Sequence, residues 1–353
     1  MNAAARSDAM LRVRHVLRPV ARPLKRAAWR LDVERDVLRA RGSHADLSVF
    51  HEFAPAPAGG GNQTLRALLD ELRRRGVRVE LQTISPGSKA VLFNSFNFDF
   101  ERLRLLAARR GDVRMVHRVG AVTSLYRGFD DGTDARVAAI NHELADATLA
   151  ISHATIEMYR SIGVELVDPR VVYNACDNRI FHPDGRIVFS RDRPTRLVGV
   201  SWSENPNKGA PLFRWLEQHL DSRRYELTFV GNTSVQFERV RHVRPLPSHA
   251  LADLLRQQDV FVTATANDAY SNALVEALSC GLPAVYLASG GSHEAVKDAG
   301  FGFTEQDQVP ELLDRLSNEY EDRQAAISLP TVSEIADGYL DVLGLDSFVG
   351  AGA

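Results

Sequence analysis

The chain has 353 residues, 44% of them hydrophobic and 25% charged, with a net charge of −2. That length accommodates two domains with globular composition, and the near balance of charge excludes a general nucleic-acid binder. No apolar run reaches the roughly 18 residues of a membrane span, no secretory signal is evident, and the two cysteines, Cys176 and Cys280, stand far apart, which fits a reducing, cytoplasmic setting.

Residues 1–44 read as a basic amphipathic extension. Eight of the first 30 residues are Lys or Arg against one acid, Asp8. Beyond Pro19 and Pro23 the spacing predicts a helix over 24–40, with Leu24, Ala28, Leu31 and Leu38 on one face, widened by Trp29, Val33 and Val37. Such a helix either lies on an anionic membrane surface or packs on the domain through its apolar stripe.

A first domain is expected over 45–185. Leu47–Phe53 reads as a buried strand, Ala54–Gly61 as a loop, 62–75 as a helix and 77–81 as the next strand. Further strands are predicted at 90–93, 114–117, 148–151 and 170–173, and helices at 100–110 and 135–145; this alternation predicts a mostly parallel sheet. Gly60 and Gly61 allow a close backbone approach to a ligand, although a plain flexible turn accounts for them equally, and the pattern Gly-x-Gly-x-x-Gly is absent. His117 closes a strand, where it is either a functional group or a satisfied core histidine. Tyr126, Arg127, Asp130 and Asp131 are candidates for an acceptor groove; the alternative is a loop whose Asp134 caps the next helix. No metal is expected there, because nothing else in the loop supports hard-cation coordination. Asn174 and Asp177 suit a tight turn and read as structural, and 184–194 reads as a linker.

A second domain is expected over 186–330. The strand 196–201 leads into a loop, Trp202–Gly209, and a helix over 210–219, with Lys208 placed to reach a phosphate near the helix start or simply solvated. Strands at 225–232 and 259–265 follow, with a helix at 250–257 between them. Asp268 and Glu276 then bracket a polar turn and a short helix over 272–279, stopped by Gly281 and Pro283. Carboxylates take paired sugar hydroxyls, and the free N–H groups near Ser271, Asn272 and Ala273 suit a phosphate. Ordinary helix capping explains the same spacing. Both acids are expected to be ionised at neutral pH unless buried. Helices at 309–318 and 332–343 complete the chain.

The run Asp268 to Glu294 resembles the donor site of the retaining glycosyltransferases of family four, whose pattern is Glu, seven residues, Glu, Ala-(Leu/Met)-x-x-Gly-x-Pro and later Gly-Gly-x-x-Glu. Glu276, Ala277, Leu278, Gly281, Pro283, Gly290, Gly291 and Glu294 match, and Asp268 replaces the first Glu. The stretch from Val116 resembles a bacterial branch that reads His-Arg-(Ile/Val)-Asp-Gly-Pro and then Tyr-Arg-Gly, with Gly120 and Ala121 in place of Asp-Gly. Asn174–Pro183 resembles the family's interdomain segment. Lys208 matches a diphosphate-holding lysine, while Trp202 or Ser203 stands where that family has an Arg.

The resemblance implies a GT-B fold, with two Rossmann-like doubly wound domains facing a cleft and a C-terminal helix, within 331–353, crossing back to the first domain. It implies transfer of a sugar from a nucleotide diphosphate sugar to a saccharide or glycolipid hydroxyl with retention, and no cofactor or metal. It assigns His117 and Asp268 to the sugar, and Gly60, Gly61, Lys208, Ser271, Asn272, Ala273 and Glu276 to the donor. Tyr126, Arg127 and Asp131 go to the acceptor. The expected location is the cytoplasm, or the inner face of the cell membrane in a pathway of surface polysaccharide or glycolipid synthesis. An epimerase or phosphorylase on the same fold, and a non-catalytic or membrane-associated saccharide-binding partner, are the alternatives.

Overall fold

The computed structural model describes residues 29–35, 38, 42, 44–54, 60–109, 111–205 and 207–349. Two parallel sheets of six strands each organise it. The first comprises β1 (Leu47–Phe50), β2 (Val79–Leu81), β3 (Ala90–Asn94), β4 (Arg114–Val119), β5 (Ala147–Ala150) and β6 (Pro169–Val171), in the order β2-β1-β3-β4-β5-β6. The second comprises β7 (Thr195–Ser201), β8 (Tyr225–Gly231), β9 (Arg241–Val243), β10 (Val260–Thr263), β11 (Ala284–Leu287) and β12 (Gly300–Phe303), in the order β12-β11-β10-β7-β8-β9. Central strands such as Leu47–Phe50 and Val260–Thr263 are buried throughout, as continuous apolar runs covered by helices on both faces should be.

In the first half α1 (Gly60–Arg74), α2 (Phe100–Ala107), α3 (Thr123–Arg127), α4 (Thr133–Leu144) and α5 (His153–Ser161) connect the strands. The glycine loop yields to helix earlier than its composition suggests, since α1 already begins at Gly60; residues 55–59 lie outside the described ones. The short α3, and α5 with its N-cap Ser152 accepting from the Thr155 N–H at 3.0 Å, are elements that periodicity did not reveal. In the second half α6 (Ala210–His219), α7 (Ser248–Arg256), α8 (Asn272–Ser279), α9 (Ser292–Val296), α10 (Val309–Asn318) and α11 (Tyr320–Ala325) flank the sheet.

The last helix, α12 (Val332–Leu343), returns to the first sheet, where Tyr339, Leu340 and Leu343 share a buried cluster with Leu47, Leu65, Leu68 and Leu149. Burying each such side chain stabilises by about 1.5–3 kcal/mol. Arg75 locks the arrangement: its guanidinium pairs with Glu71 at 2.8 Å and with Asp337, and donates to the Ser333 carbonyl at 2.7 Å. Residues 29–35 are helical and pack on the same domain by a different edge from the expected stripe. Val33 is buried among Phe50, Phe93 and Leu103, and the Trp29 indole donates to Asp99 at 2.9 Å. Leu31 and Leu38 face outward at 65% and 55% exposure. Leu24, Ala28 and Val37, with the rest of residues 1–28, lie outside the described residues.

Strand order reverses between β1 and β3 in the first sheet and between β7 and β10 in the second. At such switch points the connections diverge to opposite faces, leaving a crevice beyond the carboxyl ends of the strands. The two crevices open onto one cleft of about 670 Å³.

Candidate active site

The second-domain wall starts from a glycine pair. A Cβ at Gly290, where φ is +60°, would overlap the Asp268 carbonyl, and one at Gly291 would overlap that of Ala269. With both Cβ atoms absent, the Gly291 N–H donates to the Asp268 carbonyl at 2.9 Å and the 268–270 turn is pinned against the end of β11. Asp268 thereby meets Lys208, whose backbone forms an antiparallel bridge with Thr265. The ammonium lies 2.8 Å from the Asp268 carboxylate and 4.3 Å from the centroid of the Tyr126 ring. Burial works against that charge, but Asp268 and Tyr126 outweigh it and hold the Lys208 pKa above the ordinary value.

Beyond the turn, Ser271 is the N-cap of α8 and makes no side-chain cap bond. Ser271, Asn272, Ala273 and Glu276 all line the cleft together with Asp268 and Lys208, so the two acids face one cavity. Glu276 is buried, and desolvation alone pushes its carboxyl from 4.5 up to about 8. Burial therefore favours the neutral form at pH 7, a preference that the eight-residue spacing from Asp268 does not reveal.

The first-domain wall carries Gly61, Asn62, Asn94, Arg118, Tyr126, Arg127 and Asn174. A Cβ at Gly61, in the first turn of α1, would meet nothing within 4 Å among the described residues, so their packing leaves that side of the helix start open to a ligand. At the switch point itself, His51 contacts Asn94 through one ring nitrogen and Asn62 through the other, both at 3.1 Å. Burial lowers the His51 pKa, and the nearby Arg118 charge adds to the effect. Thr64 and Asn174 both donate to the Asn272 side-chain oxygen, at 2.9 and 3.2 Å, which ties the first domain to the start of α8.

The two domains are also joined by charge and backbone capping. Glu294 accepts from the N–H groups of His153 and Ala154 at 2.9 and 2.7 Å, so an acid of the second domain caps α5 of the first. Asn205 and Asn267 donate to the carbonyls of Tyr126 and Leu125, both at 3.2 Å.

Three expectations need correction. His117 does not reach the cleft: it is fully buried and stacked 4.4 Å from Phe93, with one nitrogen 3.0 Å from the Ser95 carbonyl and the other 3.2 Å from Asn141. Burial drives its pKa down to about 4 despite the Ser95 bond, so it is a satisfied core histidine. Asp131 is exposed and absent from the lining; it pairs with Arg127 at 3.0 Å and accepts from the Thr133 N–H. Asp134 caps the preceding helix rather than its own, accepting from Thr123 and Ser124 at 2.7 and 2.8 Å. Asn174, read as a turn residue, lines the cleft, and Arg118, Asn94, Asn62 and Thr64 were not singled out at all. Side chains alternate along a strand, so His117 and Arg118 point to opposite faces, and only the fold decides which one faces the cleft. Cys280 is buried and Cys176 donates to Ser279; both are free thiols.

Residues 199–322 match the family model described as Glycosyl transferases group 1. Among curated proteins, the phosphatidylinositol N-acetylglucosaminyltransferase GPI3 subunit of Saccharomyces cerevisiae is 27% identical over 145 residues, 37% of this chain and 32% of that protein. The matched stretch thus spans about a third of that relative's length. Among solved structures, sucrose-phosphate synthase from Thermosynechococcus elongatus superimposes with a TM-score of 0.64 at 16% identity over 84% of this chain and 97% of that one. The lipopolysaccharide outer core galactosyltransferase WaaB gives 0.61 at 12% identity, over 84% and 99%. Anabaena HepE, solved in complex with UDP-glucose, gives 0.58 at 15% identity, over 86% and 97%. Residues 199–322 are accordingly similar to a group 1 glycosyl transferase domain, within a chain that has the two-domain α/β fold seen in these solved glycosyltransferase structures.

Proposed function

We propose that the chain is a retaining, metal-independent glycosyltransferase that moves a sugar from a nucleotide diphosphate sugar to a hydroxyl of a saccharide or lipid-linked glycan. The observation that carries this reading is the grouping of Lys208, Asp268, the open start of α8 and a buried Glu276 on one wall of the interdomain cleft. The diphosphate sits against the α8 N–H groups and Lys208, where the partial positive charge of the helix end and the ammonium stabilise it as it departs. Its arrival competes with Asp268 for Lys208 and frees that carboxylate for sugar hydroxyls. Glu276 takes the ribose hydroxyls. The bond between the anomeric carbon and the phosphate oxygen breaks, the acceptor oxygen bonds to the same face, and its proton passes to the departing phosphate. The group 1 match over 199–322 and the UDP-glucose bound by HepE support this donor class.

Release of nucleoside diphosphate from a panel of nucleotide sugars, with and without glycan acceptors, tests the reading. Lys208→Ala and Glu276→Ala are each expected to lower the rate about 100-fold; wild-type rates in both variants would remove the assignment.

A further inference from the structure

A guanidinium with no counter-ion among the described residues sits at the floor of the cleft. Arg118 is 4% exposed, the next-to-last residue of β4, with Asn94 directly opposite it in the neighbouring strand. Its three hydrogen bonds all go to neutral acceptors: the Tyr339 hydroxyl at 2.7 Å, the Asn94 side-chain oxygen at 2.6 Å and that of Asn174 at 2.7 Å. Arginine keeps its charge at any physiological pH and has five N–H donors, so these bonds leave two uncommitted. A buried charge ordinarily has a partner of opposite sign, because taking it out of water unpaired is costly.

The other fixed cations among the described lining residues are already paired, Lys208 with Asp268 and Arg127 with Asp131. On the second-domain wall Lys208 is the sole ammonium or guanidinium among those residues, yet a nucleoside diphosphate brings two phosphates to it. Arg118 is also close to the phosphate cradle. The Asn174 amide that accepts from Arg118 donates to Asn272, the first residue of α8. One side chain therefore separates the unmatched charge from the start of that helix.

We propose that Arg118 anchors the donor's diphosphate from the first domain, so that the ligand's anionic group supplies the missing counter-ion and draws the two walls of the cleft together. This rests on the nucleotide-sugar reading above. It makes Arg118 a binding residue that reaches across the cleft, held in place by Tyr339 of the returning α12.

Calorimetric titration of the full chain with UDP, GDP and ADP, and with the matching nucleosides, tests it. Arg118→Gln is expected to weaken nucleoside diphosphate binding about 10- to 100-fold while leaving the nucleoside unchanged. Arg118→Lys keeps the charge and should retain most of the affinity. Asn174→Asp keeps the acceptor for Arg118 and gives it a carboxylate, at the loss of the amide donation to Asn272, and should weaken the same ligands; Asn174→Ser, which loses that donation without adding charge, serves as its control, and the pair decides the matter if circular dichroism shows that Arg118→Gln does not fold. Diphosphate affinity within about twofold of wild type in Arg118→Gln and Asn174→Asp overturns the proposal. So does a loss confined to acceptor KM during turnover, which would assign the anion to the acceptor. Wild-type protein that binds none of the three diphosphates defeats the nucleotide-sugar reading itself, a result distinct from either.

Discussion

Glu276 illustrates how one side chain answers to its surroundings more than to its type. Burial lifts its carboxyl from 4.5 to about 8, so the folded chain holds a proton that the unfolded chain releases across that range. The folded state binds more protons between those limits, and stability contributed by the neutral form is complete below pH 4.5 and is lost as pH rises toward 8. Glu276→Gln, which cannot ionise, should therefore gain stability over the wild type as pH rises, by an amount on the order of 3 kcal/mol between pH 5 and pH 8 in ligand-free protein. Urea denaturation at the two pH values measures this; a constant difference between the proteins would show that Glu276 is ionised in the fold. The position of Glu276 was legible in the sequence, because the motif around it is local and punctuated by Gly281 and Pro283. Its charge state was not, since desolvation is a property of the assembled cleft. Arg118 and His117 make the same point: they are neighbours in sequence, and the face each takes depends on the register of β4 against β3 and β5.

Between single residues and domains, the connection from β11 to α9 shapes the site while taking no direct part in it. Gly290 and Gly291 let the 287–291 turn press against the backbone of 268–269, closer than any side chain permits. Gly291→Ala should displace that turn, costing about 1–3 kcal/mol in stability and weakening nucleoside diphosphate binding, as thermal melting and titration of one preparation will show together. A variant that melts normally and binds normally would mean the turn relaxes without moving Asp268. Elements of this kind were readable where strand, turn and helix follow each other within a few residues. The short α3 and the capping of its first turn by Asp134 were not, because a five-residue helix has too little periodicity and its cap comes from the next element along the chain. The outward face of the helix at residues 29–35 was misread for a related reason: a broad apolar stripe offers two packing edges, and the domain surface selects Val33 over Leu31.

At the scale of the whole molecule, the alternation of strands and helices was enough to anticipate a mostly parallel sheet, the two doubly wound halves came from the family resemblance, and the seam between them was the part left unread. That seam depends on residues more than a hundred positions apart, such as Glu294 with His153 and Ala154. Removing this cap with Glu294→Ala should lower unfolding stability by about 1–2 kcal/mol and widen the distribution of interdomain distances seen by small-angle scattering; an unchanged scattering profile would show that the remaining contacts suffice. Tyr126 belongs to the same seam. Its ring rests on the ammonium of Lys208 while its backbone is tethered to Asn205, so the wall proposed for the acceptor and the charge proposed for the donor are mechanically one unit. Occupancy of either half then registers in the other. Under the proposed donor assignment, an anion that draws Lys208 away from Asp268 also unloads the Tyr126 ring, so binding at one wall reshapes the other.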